Sequence, residues 1–585
     1  MKVAWAVLVF VVACGGPARA PSGSPPTASP VRSIEPASTA AAMAARIDAY
    51  LKAEWRRKGL TAAGPADDAT FLRRVHIDLI GGIPSPTQVR AFLADTRPNK
   101  RARIVDELLA SKAYADYWAG VLEDLLLAET RAPDLDRAAF HVWLRDRVAD
   151  NTPWDALALQ LLTATGKNSA GQSRRSLADA ERAIAEAGDV SPAVNFVLKF
   201  KGAPQDFAGQ SSRIFLGQQV QCAQCHDHKT EKWTQADFQS FAACFSRVDV
   251  TVLGKAGGPR VVEVRELTKP APRLLKNAEL APFATSTPRA LDGTVMDNGA
   301  RASVARWITR SPLFARAITN RLWGHFLGRG FTNPVDDMRP SNPPEAGPLL
   351  EMVANDFAAS GHDLKRLART LATTEVYQLS TAPPAEASAD PVLWSHFRVT
   401  PLGPSELSAS IIAATGLDTA LARSPRGGDL DEFRRQVSRL FSFVFDVDEE
   451  ADPIRYEGSL SQALVLMNGR LTTEGGGAMP GGAVADLAKE SDDTARVNTL
   501  YLRTLSRLPR PDELTAALSF LERGASAPGP APTARATPSR SRTKGQPVDP
   551  LRRLPRARGT ADAAVLARED LLWALINSSE FAFNH

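Results

Sequence analysis

Apolar positions fall at helical spacing over most of the chain. Ser85-Pro86 offers an N-cap followed by a proline at the first helical position, and Val89, Phe92 and Leu93 then share one face. Ile104, Val105, Leu108 and Leu109 repeat the spacing, as do Tyr114, Trp118, Val121, Leu122 and Leu125. From Ala41 to about Gly166 this pattern predicts short amphipathic helices joined by turns, with the aromatic residues as core. A polar stretch over 167–188 reads as a loop, and a helix over Asp206 to Gln219 leads straight into Cys222. The period then changes. Val248, Val250 and Val252 alternate, Gly254 to Gly258 can turn the chain, and Val262 and Val264 alternate again, which predicts a β-hairpin. Helices resume near Ala300. Val497, Leu500, Tyr501, Leu505 and Leu508 mark a late helix, and Leu566, Leu571, Leu572, Leu575 and Ile576 mark the closing one. The expected fold is mainly α, with helical domains over 41–246 and 291–585 and a β-hairpin and linker region over 247–290 between them.

Composition narrows the class. A chain of 585 residues with 44% hydrophobic and 23% charged positions is neither mainly disordered nor fibrous, and it is too long for one ordinary core. The net charge of +5 is misleading as a whole-chain figure. Nine Lys/Arg and one acid lie between Arg523 and Arg558, so the remainder is slightly acidic. That basic segment belongs to a Pro/Ser/Arg-rich insertion over 525–559 with almost no apolar residues, expected to be disordered. A basic tract confined to one solvated insertion disfavours nucleic acid as the partner.

The N-terminus sets an expected compartment. Lys2 precedes an apolar run from Val3 to Ala13, too short to span a bilayer and suited to an export signal. The run ends in Val11-Val12-Ala13-Cys14-Gly15, which resembles a bacterial lipoprotein signal with Cys14 as the lipidated first residue of the mature chain. The competing cut after Ala18-Arg19-Ala20 would be followed by Pro21, which ordinary signal peptidase disfavours. Residues 1–14 are then the signal and 15–40 a flexible tether, with the protein exported to the periplasm or outer membrane and held to the membrane by its lipid alone.

The strongest chemical signal is Cys222-Ala-Gln-Cys225-His226. Two thiols three apart on a helical turn can add to the two vinyl groups of one haem, and the adjacent imidazole can then ligate the iron. Covalent attachment of that kind takes place outside the bacterial cytoplasm, in keeping with the export signal. Other readings stand beside it: zinc held by Cys222, Cys225, His226 or His228 and Cys244, a disulfide between Cys222 and Cys225, or packing around a turn. No distal iron ligand is evident. His228 is too close in sequence to His226 to complete the same iron, and Met296, Met338, Met467 and Met479 are candidates by type alone.

Longer motifs point to a family. Phe215 to His228, continued by Lys232-Trp233-Thr-Gln-Ala-Asp-Phe238, closely resembles the planctomycete-type cytochrome-like domain of unknown function 1549, and Phe71-Leu-Arg-Arg-Val-His-Ile-Asp78 with Pro84-Ser-Pro-Thr87 matches the start of the same domain. The second half resembles its usual companion, domain of unknown function 1553. The residues that carry this are Asn320 to Gly330, Asn333 to Pro344, Tyr377-Gln378 with Ser380, Gln462-Ala463-Leu464 running to Met467-Asn468-Gly469, Leu500 to Leu505, and Asp570 to Leu575 running to Phe583-Asn584-His585. The chain departs from the pattern at Lys229-Thr230, where a Pro-Phe type pair is usual. The resemblance implies an exported two-domain bacterial protein and implies little about its activity.

The second-half motif is dense in groups that are costly to bury. Asn320, Arg321, His325, Asp336, Asp337, Arg339 and Asn342 are interleaved with Trp323, Phe326 and Phe331. Such groups either pair with one another, locking a helix to the following Pro-rich loop, or perform divalent-metal or acid and base chemistry, with His325, Asp336, Asp337 and Arg339 as the catalytic candidates. No P-loop, dinucleotide fingerprint, HExxH or GxSxG is present. Three functions therefore compete: an envelope lipoprotein with haem c on Cys222, Cys225 and His226, exchanging electrons with a redox partner; a metal-dependent surface enzyme; and a noncatalytic scaffold binding another envelope protein.

Overall fold

The computed structural model describes residues 38–128, 134–171, 177–254, 260–296, 300–382, 393–423, 430–445, 460–526 and 562–585. The expected export signal, Cys14, most of the expected tether and all but the first two residues of the basic insertion lie outside these residues. The described residues begin slightly before the expected end of the tether: Ser38 donates from its backbone and hydroxyl to Asp356, and Thr39 caps the helix Ala40–Lys58.

The fold is mainly α, as expected. The Ser85 cap is a full capping box with Gln88, and Pro86 opens the helix Pro86–Ala94. Val89 and Phe92 turn inward, while Leu93 lies at the edge of the stripe and is 38% exposed. Tyr114, Trp118 and Leu122 form the buried stripe of the helix Lys112–Leu127. Over 167–188 the expected loop is replaced by the helix Leu177–Ala187, which packs Leu177 and Ala180 against Val142. The helix before the cysteines is Pro204–Leu216, which starts two residues before the predicted span and stops three residues short of its predicted end, because Gly217 takes φ +63 and ends it. Leu508 lies beyond the end of the helix Asp493–Thr504 and is 53% exposed. No helix among the described residues is long and apolar enough to cross a membrane.

The hairpin forms from the alternating valines. Strand β2 (Val248–Gly254) pairs antiparallel with β3 (Val261–Glu266), with Val250 opposite Val264 and Val252 opposite Val262. The sequence pattern did not reveal the third strand, β1 (Gly166–Lys167), which pairs with the other edge of β3 to give the order β1-β3-β2.

Two apolar cores result. One runs from Met43 to Phe397, joined by Leu502, and takes in helices from both sides of the hairpin: Trp154 from the first half contacts Phe215 and stacks on Phe314 from the second, with ring centroids 5.7 and 6.2 Å apart. The other is built almost wholly from residues between Leu402 and Phe581, with Ile77 and Ile83 reaching in from the first half.

Candidate functional site

The chain reaches the cysteine motif through a reversal that only glycine accommodates well. At Gly217 a Cβ would collide with the Met338 methyl, and the φ is left-handed. After it comes the 3-10 turn Gln221–Gln224, which buries Ala223 and leaves Cys222 and Cys225 on the surface as free thiols. Gln235 holds the turn in place. Its side-chain amide donates to the carbonyls of Gln224 and Cys225, both at 3.2 Å, and its backbone N–H donates to Asp227 Oδ1 at 2.8 Å.

Hydrogen bonds assign the two histidine tautomers. His226 Nδ1 lies 2.8 Å from the Asp227 carbonyl, an acceptor only, so Nδ1 carries the proton and Nε2 keeps its lone pair on an exposed ring. His228 is the opposite case. Its Nδ1 accepts from the backbone N–H groups of Thr230 and Glu231 at 3.2 and 3.1 Å, so the proton sits on Nε2 and the neutral ring has no lone pair left for a metal.

A loop from the second half clamps this segment. The Met338 N–H donates to the Gly217 carbonyl at 2.8 Å, and the Gln218 amide returns a bond to the Met338 carbonyl. Asp336 accepts from Arg213 Nε at 2.5 Å and Gln219 Nε2 at 3.2 Å, with Arg321 at 3.7 Å. Farther along, Ser341 donates from its hydroxyl to Glu231. Asn320 fixes the start of the loop: its Nδ2 donates to the carbonyls of Thr332 and Val335, and its Oδ1 accepts from the N–H groups of Phe331 and Thr332. Two motifs that are separate in sequence are thus one assembly, with the Asp336 network as its electrostatic lock.

The structure does not bring the acid and base candidates together. His325 Nε2 is spent on the Asp78 carbonyl at 3.0 Å, and its ring lies edge-on to Trp118. Asp336 is engaged by guanidiniums, and Asp337 pairs with Arg339 at 3.0 Å; burial raises the Asp337 pKa and Arg339 offsets part of the rise. The zinc set is also dispersed. Cys244 is fully buried with its sulfur 3.6 Å from the Arg289 carbonyl, and burial pushes its thiol up to about 12. Among the described residues, no three His, Cys, Asp or Glu side chains converge as a metal site. Of the methionines, Met338 packs against Gly217, Met296 lies in the first core, Met479 is buried in the second and Met467 is 46% exposed.

A second polar centre is visible only in three dimensions. Asp78, 4% exposed, accepts from the Tyr377 hydroxyl at 2.6 Å and from Asn584 Nδ2 at 2.8 Å. Burial lifts its pKa to about 6, and burial with the Asp78 charge drives the Tyr377 hydroxyl well above its ordinary value. The adjacent Arg74 donates to the carbonyls of Tyr377, Leu379 and His585, while Arg73 donates to those of Thr504 and Phe581. These residues belong to motif stretches quoted above from both halves. Their convergence had no signal in the sequence beyond the density of costly groups. Because its polar groups bond one another, this centre reads as a structural junction.

Residues 46–250 match the family model PSCyt2, a protein of unknown function (DUF1549), and residues 300–429 match PSD1, a protein of unknown function (DUF1553). No curated protein and no solved structure matches the chain.

Proposed function

For a chain that carries a DUF1549 domain followed by a DUF1553 domain, we propose an exported envelope lipoprotein, anchored through Cys14, that holds a c-type haem on Cys222, Cys225 and His226 and exchanges electrons with a partner. The observation that carries this reading is the state of His226: Nδ1–H is committed to the Asp227 carbonyl, so the unprotonated Nε2 is free on a residue adjacent to two exposed thiols. That bond to the backbone carbonyl sets the tautomer that a metal-ligating imidazole would need, and would raise its basicity. The bound group would supply one-electron chemistry. The chain's own residues present the two sulfurs on one turn, keep the imidazole in the ligating tautomer through the Asp227 carbonyl, and hold the segment still through Gln235 and the Asp336 lock. The zinc reading has less support, since His228 lacks a free lone pair and Cys244 is buried in the core.

The test is direct. Protein produced in a host with haem-maturation machinery is denatured, and its mass and pyridine haemochrome spectrum are recorded. The reading expects one porphyrin mass added to the peptide that contains Cys222 and Cys225, and loss of that mass in the Cys222→Ser, Cys225→Ser double variant. A colourless chain of unmodified mass refutes it.

A further inference from the structure

Strand β2 forms one edge of the three-stranded sheet, and the pairing fixes which of its backbone groups face out. Val262 turns both of its backbone groups toward the β1 side: its carbonyl accepts from the Asn168 N–H at 3.1 Å, and its N–H donates to Asn168 Oδ1 at 2.8 Å. Alternation along an antiparallel ladder then turns Glu263 and Arg265 toward β2. Their opposites, Thr251 and Asp249, face β3, so Val250 and Val252 present their N–H and C=O groups on the outer side. No hydrogen bond engages those outer groups among the described residues.

The chain closes this edge on both sides of the two valines. Toward the start of β2, the Ala271 N–H donates to the Ser246 carbonyl at 2.9 Å and Arg273 donates to the Val248 carbonyl at 3.3 Å. Toward the tip, a bulge between Val252 and Gly254 breaks the register. Between these stops the edge lacks the devices that keep strands apart. No Lys or Pro occurs from Val248 to Leu253, and the single charge, Asp249, is drawn back to Arg265 on the neighbouring strand at 3.2 Å. Val252 and Leu253 are 53% and 48% exposed.

We propose that β2 is a self-association edge, to which a second copy of this chain adds its own β2 antiparallel about a two-fold axis through Thr251. Val250 of each copy then opposes Val252 of the other, and each opposed pair exchanges both of its N–H···O=C bonds, which satisfies every outward donor of the two valines. Asp249 falls opposite Leu253 of the second copy, so no like charges meet, and the exposed Val252 packs beside Val250. The register centred on Val250 is disfavoured. It sets the two Asp249 carboxylates diagonally across the axis, and it places Val252 opposite Val248, whose carbonyl Arg273 already holds. A longer extended peptide from another protein gains nothing beyond the two valines, because Arg273 and the bulge stop it at either end, whereas a second copy offers an edge of matching length.

Sedimentation velocity of the full chain carrying Cys14→Ser, which removes the expected lipid anchor, tests this whether or not haem is attached. The expected result is a reversible shift from monomer toward dimer between about 1 and about 100 µM, the range of a small interface. Val252→Lys puts two cations diagonally across the axis and should hold the chain monomeric throughout. Val252→Pro removes an outward donor and no bond to β3, and should do the same. Register is read by cross-linking after Cys222→Ser and Cys225→Ser are added. Thr251→Cys then sets two thiols on a directly opposed pair, with Cα atoms about 4.5 Å apart, and should give a disulfide-linked dimer under oxidised glutathione. Leu253→Cys, about 13 Å from its equivalent, should link at least tenfold more slowly. A chain that stays monomeric at the highest concentration, a dimer that survives both Val252 variants, or equal linking at the two cysteine positions overturns the proposal.

Discussion

Asp78→Asn isolates the contribution of one buried carboxylate to the pH dependence of folding. In the folded chain burial raises its pKa from 3.8 to about 6; Tyr377, Arg74 and His325 oppose the rise, and Glu406 adds to it. The folded state therefore keeps this proton to higher pH than the unfolded chain. Below about pH 4 both states are protonated and stability is unaffected by this group. Between about pH 4 and 6 the unfolded chain ionises first, so stability falls as pH rises, and above that the loss levels off. At about 1.4 kcal/mol per tenfold change in proton affinity, the full loss is about 3 kcal/mol. Asparagine preserves the geometry: its carbonyl accepts from Tyr377, and its amide donates to Asn584 Oδ1, which is buried without a partner, once the Asn584 amide turns over. Urea unfolding followed by tryptophan fluorescence, at intervals from pH 4 to 7, should show wild type losing about 3 kcal/mol relative to the variant across that window. Parallel curves for the two proteins would refute the reasoning.

Three further outcomes follow from the clamp and the cysteines. Arg213→Ala leaves Asp336 buried with only Gln219 and the distant Arg321, and should cost about 3 kcal/mol in urea unfolding, with Asp336→Asn in the same background recovering part of the loss. Gly217→Ala combines a left-handed φ with a collision against the Met338 methyl. It should lower stability by at least about 1 kcal/mol and raise amide exchange over residues 221–235, and adding Met338→Ala should restore the exchange pattern more than the stability. In haem-free protein, maleimide labelling read by peptide mapping should modify Cys222 and Cys225 within minutes and spare Cys244 until denaturant is added, because burial keeps that thiol protonated.

The helices were legible where large apolar residues repeat, as in Tyr114, Trp118 and Leu122, and where a cap stands in plain view, as at Ser85. The helix Leu177–Ala187 was hidden because two of its three buried positions are alanines, which give a weak periodic signal. The hairpin was readable from valine alternation. Its third strand was not, since Gly166–Lys167 joins through pairing with residues almost a hundred positions away. The same limit governs the sites. The cysteine motif is local and visible, whereas its clamp depends on partners 117 and 123 residues distant, and Asp78 meets Tyr377 and Asn584 across 299 and 506. Spacing also misled: His325 and Asp336 lie close in sequence, yet the helix end at Gly328 and the loop after it send them to different partners.

Arg73 and Arg74 enter the core on an early helix, but their carbonyl acceptors arrive as late as His585, 511 residues downstream of Arg74. Arg74 meets the Tyr377 and Leu379 carbonyls earlier, but Arg73 waits for Thr504 and Phe581, so a nascent first half carries a buried-type cation without acceptors and the last residues of the chain close the core around both arginines.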